Sequence, residues 1–259
     1  MTRTKFTIRK KNGKLRHIVA PSVKLKAYQR KLLKTKFEPL LNDLLAKSGL
    51  YEIFHGFRHR KNSVTAASYH IGYKATVMFD LANFFDTVTS EHIKRGGYTL
   101  TESEIQYCLH DDYCAQGFPT SPTLCNIALI PFIKTIRSGL SAEFEDFALT
   151  IYADDIQVSI NRTDKDSWHK VRTIVTEAAE THKFAINPNK TRVRFAKYGA
   201  RRILGVNVTD TGITATRKTN RKVRAVAHRV KFDKSKKQVL GGLRTWQLCK
   251  PPRGISYML

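Results

Sequence analysis

Acidic residues are scarce in this sequence. Its 259 residues include 21 Asp and Glu against 46 Lys and Arg, which gives a formal net charge of +25 at pH 7. This excess is far outside the small net charges of ordinary small domains. A field this positive favours a polyanionic partner and makes binding depend on salt concentration. The charge therefore favours a protein that works along nucleic acid over a soluble domain that happens to be basic.

Long apolar runs and paired cysteines are also missing. No apolar stretch reaches the length of a membrane span, and no apolar run follows the charged N-terminus as it would in a signal peptide. The four cysteines (Cys108, Cys114, Cys125 and Cys249) form no CxxC pair and no zinc-type cluster with histidine. These absences predict a cytoplasmic protein with reduced thiols and without a membrane partner.

Hydrophobic residues make up 41% of the chain, which is enough to build a core at this length. Alternation predicts a basic hairpin over residues 3–19, with Asn12-Gly13 as its turn and Pro21 as its end. Periodicity and length predict helices over residues 24–48 (broken at Pro39), 122–138 (kinked at Pro131) and 166–183. Strands are predicted over residues 76–81, 148–152 and 156–160, and a second hairpin over residues 201–216 with its turn at Asp210-Thr211-Gly212.

The C-terminal part has a different character. Ten of the 21 residues from Arg217 to Lys237 are Lys or Arg, and Asp233 is the one acid among them. Apolar residues recur at helical spacing within this run, at Val223, Val226, Ala227 and Val230. The pattern predicts a basic amphipathic helix. Most charge runs are simply solvated, but a run of one sign favours phosphate binding.

Two adjacent carboxylates, Asp154 and Asp155, lie in a predicted tight turn between apolar strands. They repel each other where access to water is restricted, and a bound cation would relieve that cost. Asp80 ends another apolar strand, where a carboxylate has little structural purpose. Three such groups suit two Mg²⁺ ions of a nucleotidyl transfer site. An ordinary surface turn and a helix cap are the alternative interpretation of these residues.

The surrounding motifs resemble those of reverse transcriptases. Phe79–Asp86 is similar to their first palm motif, and Gln116–Asn126, with its QGxPTSPxLxN pattern, to their second. Tyr152-Ala-Asp-Asp155 resembles the YxDD box, Ile186–Thr191 the lysine-bearing motif, and Ile203-Leu204-Gly205 the primer grip. Five motifs stand in the family's order, and the resemblance covers roughly residues 10–230.

Within that family the chain is most similar to bacterial retron and other defence-associated reverse transcriptases. Phe54–Arg58 with Asn62-Ser63 matches their fingers motif, and Gly13–Ile18 with Pro21 matches their first basic ribbon. Two segments depart from the retron pattern, Ala66–His70 and Ile203–Gly205. A retron in the strict sense and an unclassified defence group therefore both stay open.

The resemblance implies an α+β right-hand polymerase fold with fingers, a ferredoxin-like palm and a short basic helical thumb. Residues 1–75 would form the fingers with part of the palm. Residues 76–210 would form the palm, with a fingers insertion around residues 90–115. Residues 211–259 would form the basic thumb and C-terminal region.

The resemblance also implies roles for single residues. Asp80, Asp154 and Asp155 would be catalytic and would bind two Mg²⁺ ions, with Mn²⁺ as a substitute. Phe85 would be the steric gate that excludes a 2′-hydroxyl. The other substrate-binding candidates are Arg58, Gln116, Gly117, Tyr152 and Lys190, and the nucleic-acid-binding candidates are Lys14, Arg16, Arg217, Arg221, Lys222 and Arg224. His70 is interpreted as structural rather than RNA-contacting.

The implied function is an RNA-directed DNA polymerase that copies a dedicated structured noncoding RNA into cDNA from dNTPs, in the bacterial cytoplasm and as part of antiphage defence. An accessory effector protein is a further expected partner. Two alternatives stay open. One is another polymerase, diversity-generating or template-independent, and the other is a non-catalytic RNA-binding protein with a polymerase fold.

Overall fold

The computed structural model describes residues 2–9, 13, 15–230 and 239–241. In that part of the chain the strands are β1 (Arg3–Arg9), β2 (Leu15–Pro21), β3 (Ala75–Asp80), β4 (Phe147–Tyr152), β5 (Asp155–Ile160), β6 (Arg192–Phe195), β7 (Arg201–Ile203), β8 (Val206–Val208) and β9 (Ile213–Ala215). The α-helices are α1 (Val23–Leu32), α2 (Glu38–Lys47), α3 (Ser63–Ser68), α4 (Phe84–Thr87), α5 (Ser90–Arg95), α6 (Glu102–Cys108), α7 (Ser121–Glu143), α8 (Lys165–Thr181) and α9 (Arg217–Val230).

The chain divides into two compact units. The first comprises the residues up to Phe54, Leu81–Glu143 and Thr173–Asn187, and the second comprises His55–Asp80, Phe144–Arg172 and the residues from Pro188 onward. Each unit is therefore built from three separate stretches of chain.

The first unit contains the predicted basic ribbon. Strands β1 and β2 pair antiparallel, with Arg3 opposite Pro21 and Arg9 opposite Leu15. The strand pairing of the hairpin is confirmed, although β2 includes Pro21 instead of ending before it, and Asn12 of the predicted turn lies outside the described residues. A proline tolerates this position because the ribbon has two strands, so its missing N–H faces no further neighbour.

Helices fill the rest of the first unit. The predicted break near Pro39 is a π-helical segment, Leu33–Phe37, after which Pro39 lies in the first turn of α2. A proline fits there because the first turn needs no backbone donor. Helix α7 is almost wholly buried along its N-terminal half and packs against α2 and α5. The predicted buried helix is thus confirmed, and Pro131 lies inside it.

The second unit contains a four-stranded antiparallel sheet in the order β4-β5-β3-β6. Strands β3, β4 and β5 are those predicted from short apolar runs. Most residues of these strands are buried, and the rest are half-buried, which explains why they appear in sequence as continuous apolar segments.

A second sheet in this unit corrects one prediction. Residues 201–216 form three strands, β7-β8-β9, rather than one hairpin. The predicted turn is present between β8 and β9, where Thr209 N–H donates to Gly212 O at 2.9 Å. The additional turn, at Leu204-Gly205, was hidden because its flanking strands have three residues each, too few for a clear alternation. Their apolar residues pack against Val64 and Ala67 of α3.

A buried polar network joins both sheets of the second unit. His70 Nδ1 lies 2.8 Å from Ser159 Oγ, and His70 Nε2 lies 2.8 Å from Thr150 Oγ1. Arg201 donates to His70 O at 2.8 Å and to Thr76 Oγ1 at 3.0 Å. Because His70 and Arg201 are at most 1% exposed, the structural interpretation of His70 agrees with its position.

The predicted basic helix is present as α9, which ends at Val230 within the described residues. Val223 is buried, Val226, Ala227 and Val230 are half-buried, and the basic side chains are exposed. The remainder of the predicted run, from residue 231 to 237, lies outside the described residues, as do Lys14 and Cys249.

The other three cysteines, Cys108, Cys114 and Cys125, are buried and form no disulfide. Among the described residues, no helix combines the length and the apolar character that crossing a membrane requires.

Candidate active site

The three aspartates meet at one end of the four-stranded sheet, and all of them belong to the second unit. Asp80 is the last residue of β3 and Asp155 the first of β5, and the antiparallel register makes them direct partners. Direct partners on one face have Cα atoms about 4.5–5.5 Å apart. Tyr152, the last residue of β4, also pairs with Asp155. The two-residue turn between them contains Asp154. The structure therefore brings together carboxylates that are 74 and 75 positions apart in sequence.

The electrostatics of this site favour a cation. Burial and the neighbouring charges of Asp154 and Asp80 together raise the pKa of Asp155 to about 7, although Lys190 opposes them. Without a positive partner, the three groups cannot all be ionised at neutral pH at low cost.

Lys190 supplies one positive charge. Its Nζ donates to Asp80 Oδ1 at 2.6 Å, and this hydrogen bond raises the pKa of Lys190. Asp80 is buried, whereas the Lys190 side chain is more than half exposed. The family resemblance predicted this lysine as a substrate-binding residue, and no sequence pattern indicated that it contacts the carboxylate itself.

The available ligand atoms suit magnesium better than a metal ion that is bound entirely by protein side chains. Among the described residues, no three His, Cys, Asp or Glu side chains form a ready-made metal cluster. Magnesium uses one or two carboxylates and completes its shell with water and substrate phosphates. Oxygen ligands alone, on two adjacent strands, fit that chemistry.

Two further candidates, Gln116 and Gly117, lie in the first unit against strand β2. Gln116 O accepts a hydrogen bond from Val19 N–H at 2.9 Å. Gly117 has φ +118°, and a Cβ there would lie 2.5 Å from Val19 O. Only glycine satisfies both conditions, since other residues avoid this φ and the neighbouring atom is backbone.

Phe85 also belongs to the first unit, on the short helix α4. It is half-buried, and its ring packs edge-on against Phe84 with centroids 5.6 Å apart. A cavity of about 430 Å³ also lies in this unit. Its lining includes Gln116, Asp86 of α4, and Lys5 and His17 of the basic ribbon.

The remaining candidates lie in both units. Arg58 and Tyr152 are half-buried in the second unit, and Arg16 is exposed on β2 in the first. The four candidates on α9 are all exposed: Arg217, Arg221, Lys222 and Arg224. Three of them recur at positions i, i+4 and i+7, so they share one face of the helix.

Solved structures with a similar fold are polymerases. An apo telomerase from Candida tropicalis, truncated from its C-terminal domain, superposes with a TM-score of 0.58 at 14% identity and covers 83% of this chain and 55% of its own. A telomerase from Candida albicans, in complex with a TWJ fragment of telomeric RNA, gives 0.57 at 13% identity, with 82% and 45% covered. At such identities the likeness shows the fold alone, and it confirms the α+β right-hand polymerase fold.

Sequence comparison defines the family. The family described as reverse transcriptase (RNA-dependent DNA polymerase) matches residues 8–208, so the chain belongs to the reverse transcriptases. The retron Mx65 reverse transcriptase of Myxococcus xanthus is 31% identical over 248 residues, which cover 86% of this chain and 55% of that protein. The retron Ec86 enzyme of Escherichia coli is 25% identical, with 89% and 70% covered.

These relatives confirm the resemblance to retron-type bacterial reverse transcriptases. The chain spans 55% and 59% of the lengths of the two Myxococcus xanthus relatives that it matches. Family and fold are therefore established, and the activity of the whole protein is a matter for proposal.

Two features of the site escaped sequence reasoning. The Lys190–Asp80 ion pair joins residues 110 positions apart, and no local pattern signals it. The contact of Gly56 with the turn that carries Asp154 was also missed, although Phe54–Arg58 had been noticed as a motif.

Proposed function

We propose that this chain is an RNA-directed DNA polymerase that copies a structured noncoding RNA into cDNA. The observation that supports it most strongly is the register of β3 and β5, which makes Asp80 a direct partner of Asp155 beside Asp154. Membership of the reverse transcriptase family gives this cluster its interpretation as a nucleotidyl transfer site.

The three aspartates would hold two Mg²⁺ ions, or Mn²⁺ in their place. When bound, the ions activate the attacking 3′-hydroxyl and stabilise charge on the departing pyrophosphate. The protein's own contribution is positioning, because carboxylates fixed on adjacent strands need little reorganisation during the reaction. Lys190, already beside Asp80, would supply positive charge near the leaving group.

Recognition of the incoming dNTP would involve the other substrate-binding candidates. Arg58 would grip the triphosphate, since a guanidinium can make two parallel bonds to phosphate. Gln116 and Gly117 would contact the nucleotide, and Phe85 would exclude a 2′-hydroxyl. Tyr152, half-buried beside the carboxylates, would contact the primer terminus.

Binding of template and product would rest on charge. The net charge of +25, the exposed Arg16 and the basic face of α9 support a nucleic-acid partner.

We propose that residues 1–75 form the fingers with part of the palm, residues 76–210 the palm (with a fingers insertion around 90–115) and residues 211–259 the thumb and C-terminal region. The similarity to retron enzymes supports a dedicated noncoding RNA, a bacterial cytoplasmic setting, an antiphage role and an accessory effector protein.

Primer extension on an RNA template tests the proposal. The wild-type protein should incorporate dNTPs with Mg²⁺, and the double variant Asp154→Ala/Asp155→Ala should lose synthesis but keep RNA binding. Asp43→Asn, at an exposed acidic side chain of α2, serves as the control and should remain active. Sequencing the RNA and DNA that copurify from the native host would identify the template.

Other outcomes would contradict the proposal in distinct ways. Incorporation of NTPs alone would indicate an RNA polymerase, and synthesis without a template would indicate a template-independent enzyme. RNA binding without any synthesis would indicate a non-catalytic protein. If the double variant still protected cells from phage, the link between polymerisation and defence would be wrong.

A further inference from the structure

A short segment of the second unit, His55-Gly56, lies against the turn that carries the catalytic carboxylates. His55 N–H donates to Ile151 O, in strand β4, at 2.9 Å. A Cβ on Gly56 would overlap the backbone nitrogen of Ala153 and lie 2.9 Å from the carbonyl carbon of Tyr152. Because both neighbours are backbone atoms, they cannot rotate away as a side chain could. Glycine is therefore required here by close approach of the two chains.

The turn itself needs support. Ala153 adopts φ +58°, a left-handed conformation that residues other than glycine rarely adopt. The next two residues are the like-charged Asp154 and Asp155. Strained backbone of this kind persists where its surroundings determine it fully, and it is common at functional sites.

The supporting segment is firmly anchored. His55 is fully buried, and its Nδ1 lies 2.9 Å from Thr65 Oγ1 on helix α3. The Thr65 hydroxyl donates to Asn62 O and accepts from Asn62 N–H, each at 2.8 Å. Since that hydroxyl has one proton and gives it to Asn62, the His55 Nδ1 must be the donor in their contact. The ring of His55 also packs edge-on against Tyr69, with centroids 5.4 Å apart.

Helix α3 connects this anchor to the core. Val64 and Ala67 pack in the cluster with β7 and β8, and α3 also contacts β4. A continuous path of packed atoms thus runs from the core through α3 and His55 to the turn.

We propose that His55-Gly56 is a buttress that fixes the turn Tyr152–Asp155, and that Gly56 is a positioning residue for the metal site. The inference rests on the proposed function, in which these carboxylates hold the metal ions. The segment touches backbone of the strand and turn, at Ile151, Tyr152 and Ala153, so it acts through Asp154 and Asp155. Packing that only stabilised the fold would lower the melting temperature without changing metal affinity in the folded protein.

Gly56→Ala tests the buttress, with Gly212→Ala as its matched control. The control replaces a glycine by alanine in a turn of the same unit. At Gly212 an added Cβ would meet no atom within 4 Å, and φ lies outside the left-handed region. Mn²⁺ binding to the folded proteins, without nucleotide, is measured by electron paramagnetic resonance. Asp155→Asn identifies the part of the signal that belongs to the turn.

Gly56→Ala should weaken that Mn²⁺ binding by about tenfold or more, as changes in residues that orient metal ligands do. It should lower kcat about 100-fold with little change in KM for dNTP, since small misplacement of reacting groups has an effect of that size. Gly212→Ala should match the wild type in both measurements. Circular dichroism and thermal melting establish that the variants compared are folded.

Equal Mn²⁺ affinity and kcat in Gly56→Ala and Gly212→Ala would overturn the inference. If Gly56→Ala does not fold, Thr65→Val decides, because it removes the anchoring hydroxyl without adding bulk. It should then weaken Mn²⁺ binding severalfold, and wild-type affinity in that variant would overturn the inference. A wild-type protein that binds Mn²⁺ but makes no DNA would contradict the proposed function, while the Mn²⁺ comparison would still decide the role of Gly56.

Discussion

His70 gives the second unit a specific sensitivity to acid. Burial, together with the nearby charges of Arg201 and His55, lowers its pKa to about 3. In the unfolded chain the pKa would be near 6.5. The folded protein therefore keeps His70 neutral over a range in which the unfolded chain takes up a proton.

The sign and size of the effect follow from this difference. The unfolded state binds more protons below pH 6.5, so the stabilisation is complete above that pH and is lost as the pH falls. Well below pH 6.5 each pH unit changes the free energy of unfolding by about 1.4 kcal/mol, so lowering the pH from 7.5 to 4.5 should cost about 2.7 kcal/mol in total. That is a large share of the roughly 5–15 kcal/mol of an ordinary domain.

The variant His70→Asn removes this titration while keeping a polar side chain. At pH 7.5 it should be less stable than the wild type by about 1–3 kcal/mol, because at least one of the hydrogen bonds to Ser159 and Thr150 is lost. This gap, the difference in free energy of unfolding between the two proteins, should be about 2.7 kcal/mol smaller at pH 4.5 than at pH 7.5. Urea denaturation at several pH values and constant ionic strength measures this gap directly.

Comparing two proteins in this way cancels the contribution of titrating groups that do not interact with His70. His59→Asn, at an exposed histidine, is the matched substitution and should change the free energy of unfolding by no more than about 0.5 kcal/mol. A gap between wild type and His70→Asn that stayed constant from pH 7.5 to 4.5 would refute the reasoning, since His70 would then titrate alike in both states.

Three further predictions concern the site and its partners. Lys190→Gln removes the cation from Asp80, so substrate-free Mn²⁺ binding should tighten by about fivefold, ~1 kcal/mol, while turnover falls; unchanged affinity by paramagnetic resonance would contradict this. Phe85→Ala should raise the ratio of NTP to dNTP incorporation about tenfold or more, and an unaltered ratio in single-nucleotide assays would reject the steric gate. Replacing Arg221 and Lys222 with Gln should reduce the slope of log affinity for RNA against log salt by about one per lost phosphate contact; an unchanged slope in a salt titration would remove α9 from the nucleic-acid interface.

Much of the fold could be predicted because its local patterns are strong. Strands β3, β4 and β5 are short apolar runs with clear ends, and α7 is a long buried helix. The errors arose where patterns were weak. Strands of three residues hid the β7–β8 turn, and the π-helical segment before Pro39 has no recognisable sequence signature, since it differs from an α-helix only in its hydrogen bonds.

The candidate site was predicted in part. Asp80 and the pair Asp154-Asp155 were identified by chemistry and by family motifs, because carboxylates at the ends of apolar strands are unusual. Which atoms contact them was not predictable. Lys190 was predicted only as a substrate-binding residue, and its ammonium group donates a hydrogen bond to Asp80. Gly56 was known only as part of a motif, because a close approach of two backbones leaves no trace in the spacing of residues.

The sequence by itself determined the high positive charge of the protein, its family and the choice of three candidate acidic residues, since charge and motif are properties of the chain. The tertiary structure alone decided that Asp80 stands opposite Asp155, that His70 is buried and neutral, and that Gly56 supports the turn after Tyr152. The physical reason lies in the pairing of distant strands. Alternation of side chains fixes which face of a strand is buried, but the partner across a gap of some 75 residues depends on how the whole core packs.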